Sequence, residues 1–187
     1  EFEQAFKDFL DDVGDLMPGD IIVRGVDDVG FHVRTVAQIE SDILQTNADV
    51  VIIDPFYYLQ YEKNTSRTTG GDAANTSQRL RQITGTQQVV TIAITQADEV
   101  KETKDEDGTR ELKLPDRDDV KKTSALLEDA TILIAVDTDA KQGRGLVGVN
   151  KGRNGGEGDF VEIMYVPQYG IVREMETGFG SVDQFDF

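Results

Sequence analysis

Four residues in this chain have the type and the placement to act on a phosphate. Asp54 closes the run Val50-Val51-Ile52-Ile53. Gln96 follows the run Val89-Val90-Thr91-Ile92-Ala93-Ile94. Lys151 and Arg153 lie two residues apart in the glycine-rich segment Asn150-Lys151-Gly152-Arg153-Asn154-Gly155-Gly156-Glu157-Gly158. A carboxylate at the carboxyl end of a buried strand can orient Mg²⁺ or a water on a nucleotide phosphate. A neutral amide at the end of a neighbouring strand could touch a γ-phosphate or the attacking water and report hydrolysis to the loop that follows. Residues i and i+2 of a strand share a face, so a paired Lys and Arg can reach one phosphate group together. Such charge acts on the transition state when a neighbouring subunit supplies it. Each feature also has an ordinary reading: Asp54 as a cap on the next turn, Gln96 as a plain strand-end cap, and the Lys–Arg pair as a solvated basic turn.

The elements that would position these residues can be read from the pattern. A β-branched run with no polar alternation is expected to be buried on both faces, as central strands of parallel sheets are. Phe2, Phe6, Phe9, Leu10, Val13 and Leu16 predict an amphipathic helix from Glu1 to Leu16, broken at Pro18-Gly19. Ile21-Ile22-Val23 reads as a short buried strand. Thr35 reads as the N-cap of a helix carrying Val36, Ile39, Ile43 and Leu44. The polar stretch Gln60 to Asn75 reads as a mobile loop, with a helix over about Asp72 to Thr84. Glu99 to Asp118 is charged and reads as a mobile surface excursion. A helix over about Asp119 to Glu128 leads into a strand, Thr131 to Val136. Three further strands follow: Gly145 to Asn150, Phe160 to Val166 and Ile171 to Met175. The expected fold is α/β, a mainly parallel sheet with flanking helices and an antiparallel C-terminal edge. Residues 1–187 read as a single domain with a tail from about residue 176.

Composition narrows the function classes. The chain has 187 residues, no cysteine, one histidine, and 36 acids against 19 bases for a net charge of −17. Disulfide frameworks, cysteine zinc sites and His-based triads are excluded. No apolar run reaches the length of a membrane span. The acidic N-terminus lacks a signal-peptide pattern, and a soluble intracellular protein is expected. The charge argues against coating nucleic acid with the whole surface, although a channel needs positive charge only where the strand passes.

A nucleotide-hydrolysing sheet should carry G-x-x-x-x-G-K-[ST], whose amides and lysine hold the phosphates. The chain has no such sequence. Gly25-Val26-Asp27-Asp28-Val29-Gly30-Phe31-His32 has the glycine spacing, but Phe31 and His32 stand where Lys and Ser/Thr are needed. Its two acids would repel phosphate.

Taken together, strand-Asp54, strand-Gln96, the segment Thr123-Ser124-Ala125-Leu126-Leu127-Glu128-Asp129-Ala130 before a strand, and Lys151-Gly152-Arg153-Asn154-Gly155 resemble the ATPase domain of DnaB-type replicative helicases. The resemblance runs from about Asp20 to Arg173. That family usually continues Asp-Tyr-Leu-Gln, ends the next strand in Ser-Gln and marks the hairpin with Lys-Asn-Arg-Asn-Gly. Here Asp54-Pro55-Phe56-Tyr57, Thr95-Gln96 and Gly152 depart from the pattern, the kind of variation expected of bacteriophage members.

The resemblance implies a RecA-like fold, a homo-hexameric ring and 5′→3′ unwinding driven by ATP with Mg²⁺. It assigns Asp54 to the metal, Gln96 to γ-phosphate sensing, and Lys151 and Arg153 to the neighbouring subunit's ATP. It assigns single-stranded DNA contacts to Asp119–Ser124, with Lys121, Lys122 and Ser124, and to the Gln60–Asn75 loop. A primase or loader partner and a cytoplasmic setting, in a bacterium or phage-infected host, are implied with it. The family's P-loop strand and its catalytic-Glu strand precede the matching region, so the chain is expected to be the carboxyl-terminal portion of a longer helicase, inactive on ATP by itself. Two other readings share part of the pattern: a recombinase-type RecA-like ATPase, and a non-enzymatic scaffold without a P-loop.

Overall fold

The computed structural model describes residues 4, 7, 19–65, 71–98, 110–120 and 124–175. The chain divides into two compact units, Glu1–Val33 and Arg34–Phe187. Of the first unit, residues 19–25 carry no regular structure and residues 26–32 form consecutive turns and a bend. The Asp28 carboxylate accepts from the Gly25 N–H at 2.7 Å, and the Phe31 N–H donates to the Asp28 carbonyl at 3.1 Å. The expected strand Ile21–Val23 is absent there. Those three side chains are 93, 55 and 78 % exposed, because no strand among the described residues supplies hydrogen bonds or cover. The expected Glu1–Leu16 helix lies almost wholly outside the described residues.

The second unit is a mixed α/β assembly with two sheets. Helix α1 (Val36–Thr46) starts at Thr35, whose hydroxyl accepts from the Gln38 N–H at 3.2 Å, and ends on Asn47 in the left-handed region at φ 53°. Strand β1 (Val50–Ile53) pairs in parallel with β2 (Val90–Ala93). Helix α2 (Gly71–Gln87) crosses between them. The α1 and α2 helices cover one face of the pair, burying Val36, Ile43, Ile53, Phe56, Leu80, Ile83 and Val89 together with Leu126. The start of α2 fastens the chain before it. The Glu62 N–H donates to Thr76 Oγ1 at 2.8 Å and the Asn64 N–H to Asp72 Oδ1 at 2.7 Å. The expected Gln60–Asn75 loop is therefore helical from Gly71 and tied down at Glu62 and Asn64. Its residues 66–70 lie outside the described ones.

The expectation of burial on both faces is corrected. Val50 and Ile52 of β1 and Val90 and Ile92 of β2 are 47–64 % exposed, all on the face away from the helices. A mainly parallel sheet is corrected as well. Helix α3 (Ser124–Asp129) leads into β3 (Ile132–Asp139), which does not join β1 and β2. It forms an antiparallel sheet in the order β3-β4-β5-β6, with β4 (Arg144–Gly152), β5 (Phe160–Val166) and β6 (Ile171–Glu174). The physical reason lies in the short β3–β4 connection, which can only reverse the chain. Once β4 takes one edge of β3, no strand among the described residues pairs with its other edge.

The charged excursion is also corrected over its described part. Residues 110–118 lie against the antiparallel sheet. Arg110 Nη2 reaches Asp137 Oδ1 at 2.7 Å, the Lys113 N–H donates to Asp137 Oδ2 at 2.8 Å, and Gln142 Nε2 donates to the Arg110 carbonyl at 2.9 Å. Leu114 fills the space that a Cβ on Gly148 would occupy. Residues 99–109 and the tail from 176 lie outside the described residues. No helix among the described residues is long and apolar enough to cross a membrane.

Candidate functional site

The β1–β2 register is the origin of the site. Val50 faces Val90, Ile52 faces Ile92, and Ile53 faces Ala93. Hydrogen bonding continues past the strands: the Ile94 N–H donates to the Ile53 carbonyl at 2.9 Å and the Phe56 N–H to the Ile94 carbonyl at 2.8 Å. Strand side chains alternate with a period of two. Val50 and Ile52 therefore lie on the exposed face beside Val90 and Ile92, and Asp54, Ile94 and Gln96, past the strand ends, are exposed as well. Asp54 lies one residue past β1 and Gln96 three residues past β2, both exposed, at the carboxyl end of the paired strands. Asp54 closes a strand expected to be buried; with one face of the pair uncovered, the carboxylate is open to solvent.

This donor set suits one kind of metal binding. Among the described residues no group of three or more His, Cys, Asp or Glu side chains could hold an ion by protein ligands alone. Mg²⁺ commonly takes one or two carboxylates, with substrate phosphates and waters completing its shell. A lone exposed carboxylate at a strand end fits that mode.

The basic hairpin is built differently from the sequence expectation. Lys151 lies in β4, opposite Leu133, next to a register shift between Leu133 and Ile134. Its Nζ donates to the Leu127 carbonyl at 2.7 Å and to the Glu128 carbonyl at 2.9 Å, the last turn of α3. A cation there satisfies carbonyls that the helix leaves open. Desolvation, and then the neighbouring charges of Arg153, Arg117 and Arg81, hold its ammonium below the ordinary lysine value. Arg153 lies beyond the strand and is exposed, with its N–H donating to the Thr131 carbonyl at 3.3 Å. The two cations thus share a hairpin but differ in availability: Lys151 is engaged by α3, and Arg153 projects from the turn.

Asp54 and Gln96 belong to the parallel pair, and Lys151 and Arg153 to the antiparallel sheet; no ladder joins the two sheets among the described residues. Lys121 and Lys122 lie outside the described residues, and Ser124 opens α3. A connection that composition did not reveal runs from Gln96 toward this segment. Ala97 forms an antiparallel bridge with Val120, and the Asp98 N–H donates to the Asp119 carbonyl. Sequence reading also passed over Arg81, which meets Asp129 Oδ1 at 3.5 Å, and Ser77, whose hydroxyl donates to Asp129 Oδ2 at 2.6 Å. It passed over Arg117 too, whose Nη2 donates to the Asn150 carbonyl and to Glu157 Oε1, each at 2.7 Å. Only proximity in the fold reveals these three. No protein-family model matches the chain, and no curated protein matches it.

Proposed function

We propose that this chain works within the ATP-driven motor of a DnaB-type replicative helicase, a RecA-like homo-hexameric ring that moves along single-stranded DNA. One observation supports the reading: parallel, in-register pairing of β1 and β2 leaves Asp54 and Gln96, both exposed, just past the carboxyl ends of two neighbouring strands. Open α/β sheets bind their ligands at that end. Mg²⁺, when bound, neutralises charge on the β- and γ-phosphates. Asp54 orients that ion through its exposed carboxylate. Gln96 offers an amide to the γ-phosphate or to the attacking water. The bridge from Ala97 to Val120 links Gln96 to the start of the segment carrying Lys121, Lys122 and Ser124, the DNA contacts in this reading. Arg153 serves the ATP of the neighbouring subunit. Residues 1–187 contain no G-x-x-x-x-G-K-[ST], so hydrolysis requires a phosphate loop from outside them.

The test is ATP hydrolysis stimulated by single-stranded DNA, measured on the protein produced with such a loop. Asp54→Asn keeps the shape and removes the charge. It is expected to abolish turnover while leaving the circular dichroism spectrum unchanged. Wild-type turnover in Asp54→Asn refutes the metal assignment, and no DNA-stimulated hydrolysis at all refutes the motor.

A further inference from the structure

The end of β4 carries more positive charge than the Lys151–Arg153 pair. Arg117 sits in a 3₁₀ turn (Arg117–Asp119) laid against the hairpin. Its Nη2 donates both to the carbonyl of Asn150, the residue before Lys151, and to Glu157 Oε1, in the same β4–β5 connection as Arg153. Arg81 reaches the same neighbourhood from α2 and is neutralised by Asp129, itself held by Ser77. Lys151 responds to all three arginines, its ammonium lowered by Arg153, Arg117 and Arg81 after desolvation. In a chain of net charge −17, such a concentration of cations at one strand end is a local feature that the overall charge opposes.

The cations are not equally available. Lys151 is held by two α3 carbonyls, and Arg81 by a carboxylate that is 19 % exposed. The Arg117–Glu157 pair differs, with both side chains about half exposed, at 48 and 57 %. An exposed pair of this kind is worth about 0–1 kcal/mol, so a competing anion displaces it at little cost. A polyphosphate carries more charge than a carboxylate and more acceptor oxygens. It also draws on Arg153 at the same time, which Glu157 does not do in this structure.

We propose that Arg117 is a third cation of the Lys151–Arg153 hairpin, that Arg117 and Arg153 together receive the polyphosphate end of a nucleotide beside the α3-bound Lys151, and that Glu157 is the resting counter-ion this anion displaces. The proposal rests on the motor reading for the source of the nucleotide, a neighbouring copy. The anion chemistry itself is a property of this chain.

The experiment is calorimetric titration of the full 187-residue chain with pyrophosphate at low ionic strength. It involves neither hydrolysis nor a phosphate loop, so its outcome is separate from that of the motor test. Pyrophosphate is expected to bind. Losing one charge-assisted contact removes about 1.5–3 kcal/mol, so Arg117→Gln and Arg153→Gln are each expected to weaken binding about tenfold or more. Glu157→Gln keeps the side-chain shape, removes the competitor and is expected to tighten binding several-fold. Lys141→Gln, in the turn at the opposite end of β4, is expected to leave binding unchanged. These side chains are exposed, and circular dichroism checks each variant's fold. The proposal is overturned if pyrophosphate does not bind, if Glu157→Gln weakens binding or leaves it unchanged, or if Arg117→Gln has no larger effect than Lys141→Gln.

Discussion

Phe56 is the residue whose removal should do most to the ground on which Asp54 stands. It is fully buried, lies two residues past Asp54, and packs with Val36, Ile43, Ile53, Leu80, Ile83, Val89 and Leu126. Its ring centroid is 5.8 Å from that of Tyr61, and its N–H holds the Ile94 carbonyl at 2.8 Å. In Phe56→Ala the lost transfer of a buried aromatic is about 1.5–3 kcal/mol. The ring pair with Tyr61 adds about 0.5–1.5 kcal/mol. Because α1 and α2 close over the site, the cavity can collapse only in part, and the total is expected at about 3–5 kcal/mol. Against a typical net stability of about 5–15 kcal/mol, that is a large fraction. Urea unfolding followed by circular dichroism measures it. Tyr58→Ala is the control: Tyr58 is 60 % exposed in the same 3₁₀ turn, and losing its edge-on contact with Tyr57, at 4.9 Å between ring centroids, is expected to cost at most about 1.5 kcal/mol. A loss below about 1.5 kcal/mol in Phe56→Ala, or an equal loss in Tyr58→Ala, refutes the assignment of the core to this face.

Further outcomes follow from the same geometry. Lys151→Met removes two bonds to the end of α3 and is expected to cost about 1 kcal/mol in thermal unfolding, whereas Arg153→Met is expected to cost less than about 0.5 kcal/mol. Equal losses would mean that α3 does not rely on Lys151. The backbone N–H of Gln142 holds the Asp139 carboxyl below its usual range, outweighing desolvation, with help from Lys141 and Arg110. That stability is present above the unfolded pKa and is lost as pH falls through the folded one. Asp139→Asn should therefore be less stable than wild type at neutral pH, with the difference vanishing in acid; a difference that persists there refutes the account. In the motor carrying its phosphate loop, Arg153→Ala is expected to cost about three to five powers of ten in turnover. Rings mixed from Arg153→Ala subunits and loop-defective subunits should exceed either alone, and mixtures that never do so refute action in trans.

How much of this was legible beforehand depends on the range of the interaction. Local signals held. Thr35 caps α1 as its position before Val36 implies, and the β-branched runs ending in Asp54 and Gln96 do pair in parallel with their ends together. Readings that needed a distant partner failed. Residues 110–118 of the charged stretch read as solvated because their charges have no partner nearby in sequence, yet Arg110 finds Asp137, 27 residues on. Lys151 and Arg153 have strand spacing, but nothing near them announces that the carbonyls of Leu127 and Glu128 take the ammonium. Ile21–Val23 has the composition of a buried strand, but a strand exists only where another lends it hydrogen bonds. The same limit applies to Val50, Ile52, Val90 and Ile92, whose apolarity promised cover on both faces when only the α1 and α2 side is packed.

The net charge of −17 and the cation-rich hairpin pull in opposite directions, and their ranges decide the balance. At physiological ionic strength the screening length is about 8 Å, so acids scattered over the surface act weakly on a phosphate seated at the end of β4. Arg117 and Arg153 act at contact, where screening is least. A protein that binds anions by a diffuse basic surface loses affinity steeply as salt rises. Here added salt also relieves the repulsion between the phosphate and the rest of the chain, so the loss should be shallower than the number of arginine contacts alone would give. The acidic surface therefore leaves local phosphate recognition possible. It disfavours phosphate everywhere else and confines productive contact to the few places where the fold gathers cations from separate elements, as it gathers Arg117, Lys151 and Arg153 here.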